Sequence, residues 1–431
     1  MTLPSDEVSS QSVPVSDQRL FMPINKQRVT HELHKLATIS DAKLPAVTRV
    51  LFTQKDLEAR SYLISLFKEA GLTVRIDAVG NTFARWEGSS PDLPAIATGS
   101  HIDAIPESGQ YDGTVGVIGA LEAIRALKER GYTPRRSIEL LIFTAEEPTR
   151  FGIGCIGSRM LEGSLSPQSA AMLQDENNDN FDAIRTNAGF SGDLNSVVLK
   201  ENAYHSFIEL HIEQGPILES EQLDIGVVSS IAAPSTVTIS LEGDGGHAGA
   251  VLMHNRTDTS CAASEINLAI EHNAKNIGGT DTVATTGIFT NGPGAVNSIP
   301  RTSTLCVDVR DIKVSRRNAV LEAIKSDTHK ICERRGVRYG WKVINKDDPA
   351  DCSADLIQTL HQQAQKLEIS SKTMISRAYH DCLFMAHVVP SVLLFIPCHK
   401  GYSHRPDEYS SPEQIEKGIQ VLAATLEELS R

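Results

Sequence analysis

The feature that most restricts the fold of this chain is a strand, helix, strand unit between Pro94 and Glu147 whose polar residues fall just after each strand. Pro94-Ala95-Ile96-Ala97-Thr98 reads as a buried strand, Val115 to Arg130 as a helix stopped at Gly131, and Ile138 to Thr144 as a second buried strand. That order and spacing predict an α/β layered sheet. Such sheets place ligands outside the carboxyl ends of their strands. Ser100-His101-Ile102-Asp103 follows the first strand and Glu146-Glu147 follows the second, so the chemistry is expected there. Just upstream, Leu57 to Ala70 has helical periodicity up to Gly71, and Thr73 to Asp77 alternates as a strand.

A different texture begins near Gln222. Thr236 to Glu242, Thr282 to Ile288 and Thr304 to Arg310 read as strands, with Asp258 to Lys275 and Asn318 to Arg335 as helices. This predicts a small two-layer α+β unit at 222–335, inserted into a larger domain formed by 19–221 and 336–431. The α/β pattern resumes with helix Ala354 to Lys366, a short strand at Met374, a helix after Asp381, strand Val392 to Ile396 and helix Pro412 to Leu429. Residues 1–18 are rich in Ser, Pro, Val and acid without a basic segment followed by an apolar one. They read as a disordered leader and not as a signal peptide.

Asp112 stands at the mouth of a turn bearing Gly109, Gly113 and Gly116, just before a helix, and suits either a helix cap or a ligand. Glu146 and Glu147 are adjacent carboxylates after a buried strand. They repel unless solvent, a cation, a proton or separate roles relieve them. His211 alternates against the apolar side chains of Phe207 to Gln214, and His404 lies in the turn Gly401 to Pro406. Together His101, Asp112, Glu147, His211 and His404 form the nitrogen and carboxylate set expected for two divalent ions about 4 Å apart, one carboxylate bridging them. Glu146 is then free to act as a general base. His31-Glu32-Leu33-His34 is one residue too short for a zinc-binding His-Glu-x-x-His helix and is assigned to a solvated helix face.

The segments Thr98 to Asp103, Tyr111-Asp112-Gly113, Thr144 to Glu147, Glu209 to Pro216 and Gly245 to Gly249 resemble, in order, the M20 peptidase-like amidohydrolases of the allantoate amidohydrolase and N-carbamoyl amino acid hydrolase branch. Ile375 to Asp381 and Phe395 to His404 are most similar to the plant members of that branch that act on ureidoglycolate. The resemblance implies a metallopeptidase-like α/β catalytic domain with a mixed sheet between helices, plus an inserted α+β lid that also dimerises. It implies metal-dependent cleavage of a ureido C–N bond with release of ammonia, leading from ureidoglycolate to glyoxylate in purine catabolism. Manganese is the favoured metal and zinc the alternative. Asp112 would bridge the two ions, with His101, Glu147, His211 and His404 completing them; which histidine serves which ion stays open. Glu146 would move the proton and His247 would polarise the attacked carbonyl. Gln214, Asn297, Arg310, Tyr379 and His380 would bind the ureido acid, Arg310 pairing with its carboxylate. In such relatives His247 and Asn297 reach the partner chain's site in a homodimer.

Charge and composition exclude other classes. Asp plus Glu number 54 against 41 Lys plus Arg, a net charge of -13, so the chain repels phosphate backbones and nucleic acid is not an expected partner. The longest apolar stretch, Val388 to Cys398, is broken by Pro390, Ser391 and Pro397 and falls short of the roughly 18 residues of a membrane span. The cysteines number 7, an odd count, and lack a Cys-x-x-Cys pair, which argues against a disulfide framework and for buried small hydrophobes. A soluble protein is expected, in the endoplasmic reticulum lumen for a plant precursor that has lost its signal and otherwise in the cytoplasm. Asn255-Arg256-Thr257 is a glycosylation sequon, relevant only on the secretory path.

Overall fold

The strands Ala95–His101, Ile138–Phe143, Tyr204–Ile212 and Ser391–Ile396 run parallel, side by side, at the centre of a nine-stranded mixed sheet. Every residue of Ala95–His101, Ile138–Phe143 and Ser391–Ile396 is buried, as parallel strands covered on both faces require. Thr82–Trp86 and then Thr73–Ile76 extend one side antiparallel. On the other side Ile225–Ile231 pairs with Ser391–Ile396 and also takes Ser371–Ser376 and Ala350–Asp351. The computed structural model describes residues 22–431; the leader expected at 1–18 lies outside the described residues.

Helices Thr114–Glu129 and Pro412–Leu429 pack on each other against the sheet. Thr114–Glu129 is buried along most of its length because its sequence is apolar almost all round. A Cβ at Gly116 would lie 2.4 Å from the Leu210 carbonyl oxygen, so only glycine lets this helix touch the central strand. Pro412–Leu429 begins at a reciprocal cap. The Ser411 hydroxyl accepts the Gln414 N–H at 3.2 Å, and the Gln414 side chain accepts the Ser411 N–H at 2.7 Å. Its inner face carries Ile419, Leu422 and Leu426, all fully buried, each contributing about 1.5–3 kcal/mol of transfer free energy.

The second unit is a 4-stranded antiparallel sheet in the order Val283–Gly292, Thr302–Asp311, Ala233–Glu242, Arg338–Lys346. Helices Thr259–Asn276 and Val314–Arg335 cover one face, burying Ile266 and Ile324 against Val237, Ile239, Leu305 and Val307. Both expected bounds of the insert, 222–335, therefore move. Ile225–Ile231 is buried almost throughout and belongs to the large sheet, whereas Arg338–Lys346 alternates and packs Tyr339 and Trp341 on the small core.

The insert leaves the large sheet after Ile231 and returns at Ala350, the two residues being paired with each other. Two arginines fasten this crossing. Arg317, fully buried on the insert's helix, donates to the carbonyls of Ala233 and Asp347. From the large domain, Arg159 donates to both Asp347 carboxylate oxygens at 2.6 and 2.8 Å. Among the described residues no helix is long and apolar enough to cross a membrane. Cys155, Cys332, Cys352, Cys382 and Cys398 are buried and free, while Cys261 is exposed. His31 and His34 face solvent on helix Lys26–Ala37, as expected.

Candidate active site

The parallel strands all end at one edge of the sheet, and each delivers polar groups there. His101 closes its strand, His211 lies one residue from the end of Tyr204–Ile212, Glu146 and Glu147 follow Phe143, and His404 is in the loop after Ile396. Asp112 joins them from the turn before Thr114–Glu129. Gly113 occupies the cap position of that helix and no side chain caps it, so the Asp112 carboxylate is aimed elsewhere. Gly113 has φ +66°, and a Cβ there would lie 2.4 Å from His101 Nε2. No other residue lets the turn pass so close to the histidine. Ala145, Gln214 and His404 also hold left-handed backbone, strain of order 1–3 kcal/mol each.

Asp112 is the shared member of two donor groups. His101, Asp112 and His211 form one and Asp112, Glu147 and His404 the other, the ligand atoms within each lying within 4.8 Å of one another. Asp112 Oδ1 is 3.4 Å from His101 Nε2 and 3.1 Å from His211 Nε2, while Oδ2 is 3.3 Å from His404 Nε2. His404 Nε2 is also 3.3 Å from Glu147 Oε1. The other ring nitrogens of His101 and His211 face the Asp103 and Ile212 carbonyls at 3.0 and 2.9 Å, which fixes both rings with Nε2 toward Asp112. The histidine pairing left open by the sequence is thus grouped by geometry as His101 with His211 and Glu147 with His404.

Glu146 stands beside these groups, its Oε2 3.7 Å from His101 Nε2. Burial pushes its carboxyl well above the ordinary range against the pull of His101, and the negative charges of Glu147, Asp381 and Asp112 add to the rise. Asp112 is equally buried, yet its contacts to His101, His211 and His404 outweigh desolvation and hold it well below the ordinary value. Neighbouring carboxylates with opposed protonation tendencies are what acid-base chemistry uses.

Several supporting residues are given no role by the sequence reading. Asp103 accepts the Glu146 and Glu147 N–H groups at 3.3 and 3.0 Å and so shapes the carboxylate turn; its position two residues after His101 is the signal that could have marked it. Glu209 accepts the Ser100 hydroxyl at 2.7 Å and the Cys382 N–H at 2.8 Å. Glu408 accepts the N–H groups of Tyr111 and Asp112, and burial raises its carboxyl to about 7. Arg159 and Asp347 carry no local motif at all.

Between the large domain and the insert lies a cavity of about 390 Å³ lined by Asp112, Glu146, Glu147, Gln214, Arg310, Tyr379 and His404, with Thr236 and Asn345 on the insert side. Gln214 Nε2 donates to Asp112 Oδ2 at 2.7 Å, leaving its buried Oε1 without a partner among the described residues. Arg310 is held by Asp308 at 3.0 and 3.2 Å and donates to the Arg377 carbonyl at 3.2 Å. The Tyr379 hydroxyl accepts from Arg159 at 2.6 Å and donates to Asp347. His380 does not line the cavity. It is buried behind His211, the ring centroids 4.5 Å apart, with Nε2 3.1 Å from the Ser376 hydroxyl oxygen. His247 and Asn297 do not line it either. They sit together on the insert, where Gly246–His247 pairs with Ser298–Ile299 and the Ala248 N–H reaches the Asn297 carbonyl at 2.9 Å.

Comparison with known proteins identifies the family. Residues 97–428 match the family model described as peptidase family M20/M25/M40. The chain is similar to ureidoglycolate hydrolase of Arabidopsis thaliana, 50% identical over 416 residues that cover 95% of this chain and 87% of that protein. It is 49% identical to ureidoglycolate hydrolase of Oryza sativa subsp. japonica, over 94% of this chain and 85% of the relative. The crystal structure of AtUAH in complex with (S)-hydroxyglycine superposes with a TM-score of 0.88 at 50% identity, covering 95% of this chain and 98% of that one.

Proposed function

Because this chain belongs to peptidase family M20/M25/M40, we propose that it is an amidohydrolase that uses two divalent ions to cleave the ureido C–N bond of ureidoglycolate, releasing ammonia and leading to glyoxylate. The observation that carries this reading is Asp112, one buried carboxylate shared by two donor groups with a third carboxylate, Glu146, alongside and unclaimed. Histidine nitrogens and carboxylate oxygens suit Mn²⁺ and Zn²⁺ alike, and the resemblance to plant enzymes favours Mn²⁺. His101, Asp112 and His211 would hold one ion, and Asp112, Glu147 and His404 the other. When bound, such ions supply polarisation of the ureido carbonyl and acidification of water.

The chain's own groups do the rest. Glu146 takes a proton from the attacking water and returns it to the leaving nitrogen, a task suited to a carboxyl whose affinity for protons is raised by burial. Arg310, oriented by Asp308, pairs with the substrate carboxylate in the cavity that Glu146 also lines. Gln214 and Tyr379 line the space between, and the unpartnered Gln214 Oε1 is an acceptor for a ureido N–H. His380, expected from the sequence to bind substrate, lies behind His211 outside the cavity, and its role is to back that ring. His247 and Asn297, which do not line their own cavity, serve the partner's site in a homodimer built on the insert, where a His247 donor meets the developing oxyanion.

Ammonia release from ureidoglycolate, allantoate and N-carbamoyl amino acids, measured with added Mn²⁺, tests the assignment. Ureidoglycolate is expected to lead in kcat/KM by at least about 10²-fold, because a site that pairs a small hydroxylated acid leaves its own groups unpaired with analogues. Equal or faster turnover of allantoate overturns it.

A further inference from the structure

We propose that Cys155 is a positioning residue for the Glu146 carboxylate. Its thiol lies 3.6 Å from Glu146 Oε1, both residues buried, and among the described residues no other side chain or N–H donates a hydrogen bond to that carboxylate. The other oxygen, Oε2, is the one that faces His101 at 3.7 Å. Cys155 thus holds the back of the carboxylate while the front addresses the cavity.

The backbone makes this contact deliberate rather than incidental. Segments 144–146 and 155–157 run antiparallel, with the N–H groups of Cys155, Ile156 and Gly157 donating to the carbonyls of Glu146, Ala145 and Thr144 at 2.9, 3.0 and 2.7 Å. Cys155 is therefore tied to Glu146 through both main chain and side chain. It adopts φ +57°, an unusual backbone for a residue with a Cβ, and a Cβ at the preceding Gly154 would stand 2.4 Å from the Glu146 carbonyl oxygen. Most buried cysteines act as small hydrophobes, but this one is turned onto a carboxylate oxygen. Burial keeps the thiol protonated, and hence a donor.

The last torsion of a glutamate is broad, so its carboxylate plane is set by whatever bonds it. Proton transfer falls off steeply with misplacement of the base. Cys155 contributes by removing that freedom, without touching substrate. This inference rests on reading Glu146 as the proton carrier.

The test uses the metal-loaded full chain. Cys155→Ala is expected to lower kcat about 10-fold while KM, metal content and melting temperature stay within error, and Cys155→Ser, which keeps a donor, is expected to recover most of the loss. In the infrared spectrum of Glu146→Gln with Cys155 intact, one S–H stretching band should move as its carboxyl acceptor is replaced by an amide. Full activity in Cys155→Ala, a loss that serine does not repair or that follows lost stability, or an S–H spectrum unmoved by Glu146→Gln overturns the proposal. An active Glu146→Gln enzyme overturns the reading of Glu146 and this role with it. An inactive Glu146→Gln beside a fully active Cys155→Ala removes the role of Cys155 alone.

Discussion

Glu408 and Asp112 stand 296 positions apart, and Glu408 Oε1 accepts the Asp112 N–H at 3.1 Å and the Tyr111 N–H at 2.8 Å. The Ser403 hydroxyl lies 2.7 Å from Asp112 Oδ2 and 3.0 Å from Glu408 Oε2, so one buried acid ties the Asp112 turn to the loop that carries His404. Groups that orient metal ligands are worth about 10 to 100-fold in affinity. Glu408→Ala is expected to weaken metal binding by that factor in chelator competition, and Glu408→Gln, which keeps an acceptor, by much less. Unchanged affinity in the alanine variant would show that the turn needs no such tie.

The proposed function gives the adjacent acids Glu146 and Glu147 separate tasks. Glu146→Gln should retain metal and lose at least about 10²-fold in kcat, the scale of a general base. Glu147→Ala should lose metal, because only Asp112 and His404 remain in that group. Elemental analysis beside kinetics distinguishes the two, and identical behaviour would sink the division of labour.

The proposed contribution of His247 to the partner's site predicts complementation. His247→Ala and Glu146→Ala chains, each inactive alone, should regain activity when unfolded together and refolded, since one site of the heterodimer then has both residues intact. Re-associated chains without activity would place His247 outside the reaction.

His387 and Glu162 join helices Asp381–Val388 and Ile156–Glu162 behind the site at 3.2 Å. The bond to Glu162 raises the His387 pKa above its ordinary value, with burial opposing. A raised histidine contributes stability that is complete below about 6.5 and disappears as pH climbs through the raised value. Between about pH 6 and 9 the parent chain should therefore lose about 0.5 kcal/mol more stability than Glu162→Gln, a small figure because water reaches the pair. Denaturant titration at both pH values checks this; parallel pH dependence would refute it.

The positions legible in the sequence are those where one short segment holds both a structural transition and a reactive group. His101, Glu146 and Glu147 each follow a run of apolar residues that can only be a buried strand, so their placement at the sheet edge follows from periodicity. Asp112 is ambiguous, since an aspartate before a helix serves equally as cap or ligand, and only Gly113 in the cap position decides it. Glu408 could not be found, because its partners lie across the sheet and its neighbours Arg405 and Asp407 look like an ordinary surface pair. The insert's bounds fail for a related reason. The change of texture at Gln222 precedes the change of sheet, with Ile225–Ile231 still belonging to the larger one. Pairing across distant segments leaves no periodic trace in either one.

The strand Ser391–Ile396 lies between Tyr204–Ile212 and Ile225–Ile231, both of which precede the insert in the chain. During synthesis those two strands emerge first and wait, with unpaired N–H and C=O rows, while well over a hundred further residues are made. Until the late strand arrives, Tyr204–Ile212 lacks a neighbour on one side and Ile225–Ile231 lacks the strand that joins it to the sheet, so both offer open backbone to any other nascent chain. The loop with His404 follows that strand directly, so closure of the sheet and completion of the reactive cluster become a single late event. A topology of this kind folds slowly and depends on protection from aggregation, and expression yield should respond to chaperone supply more than to changes in the insert's own core.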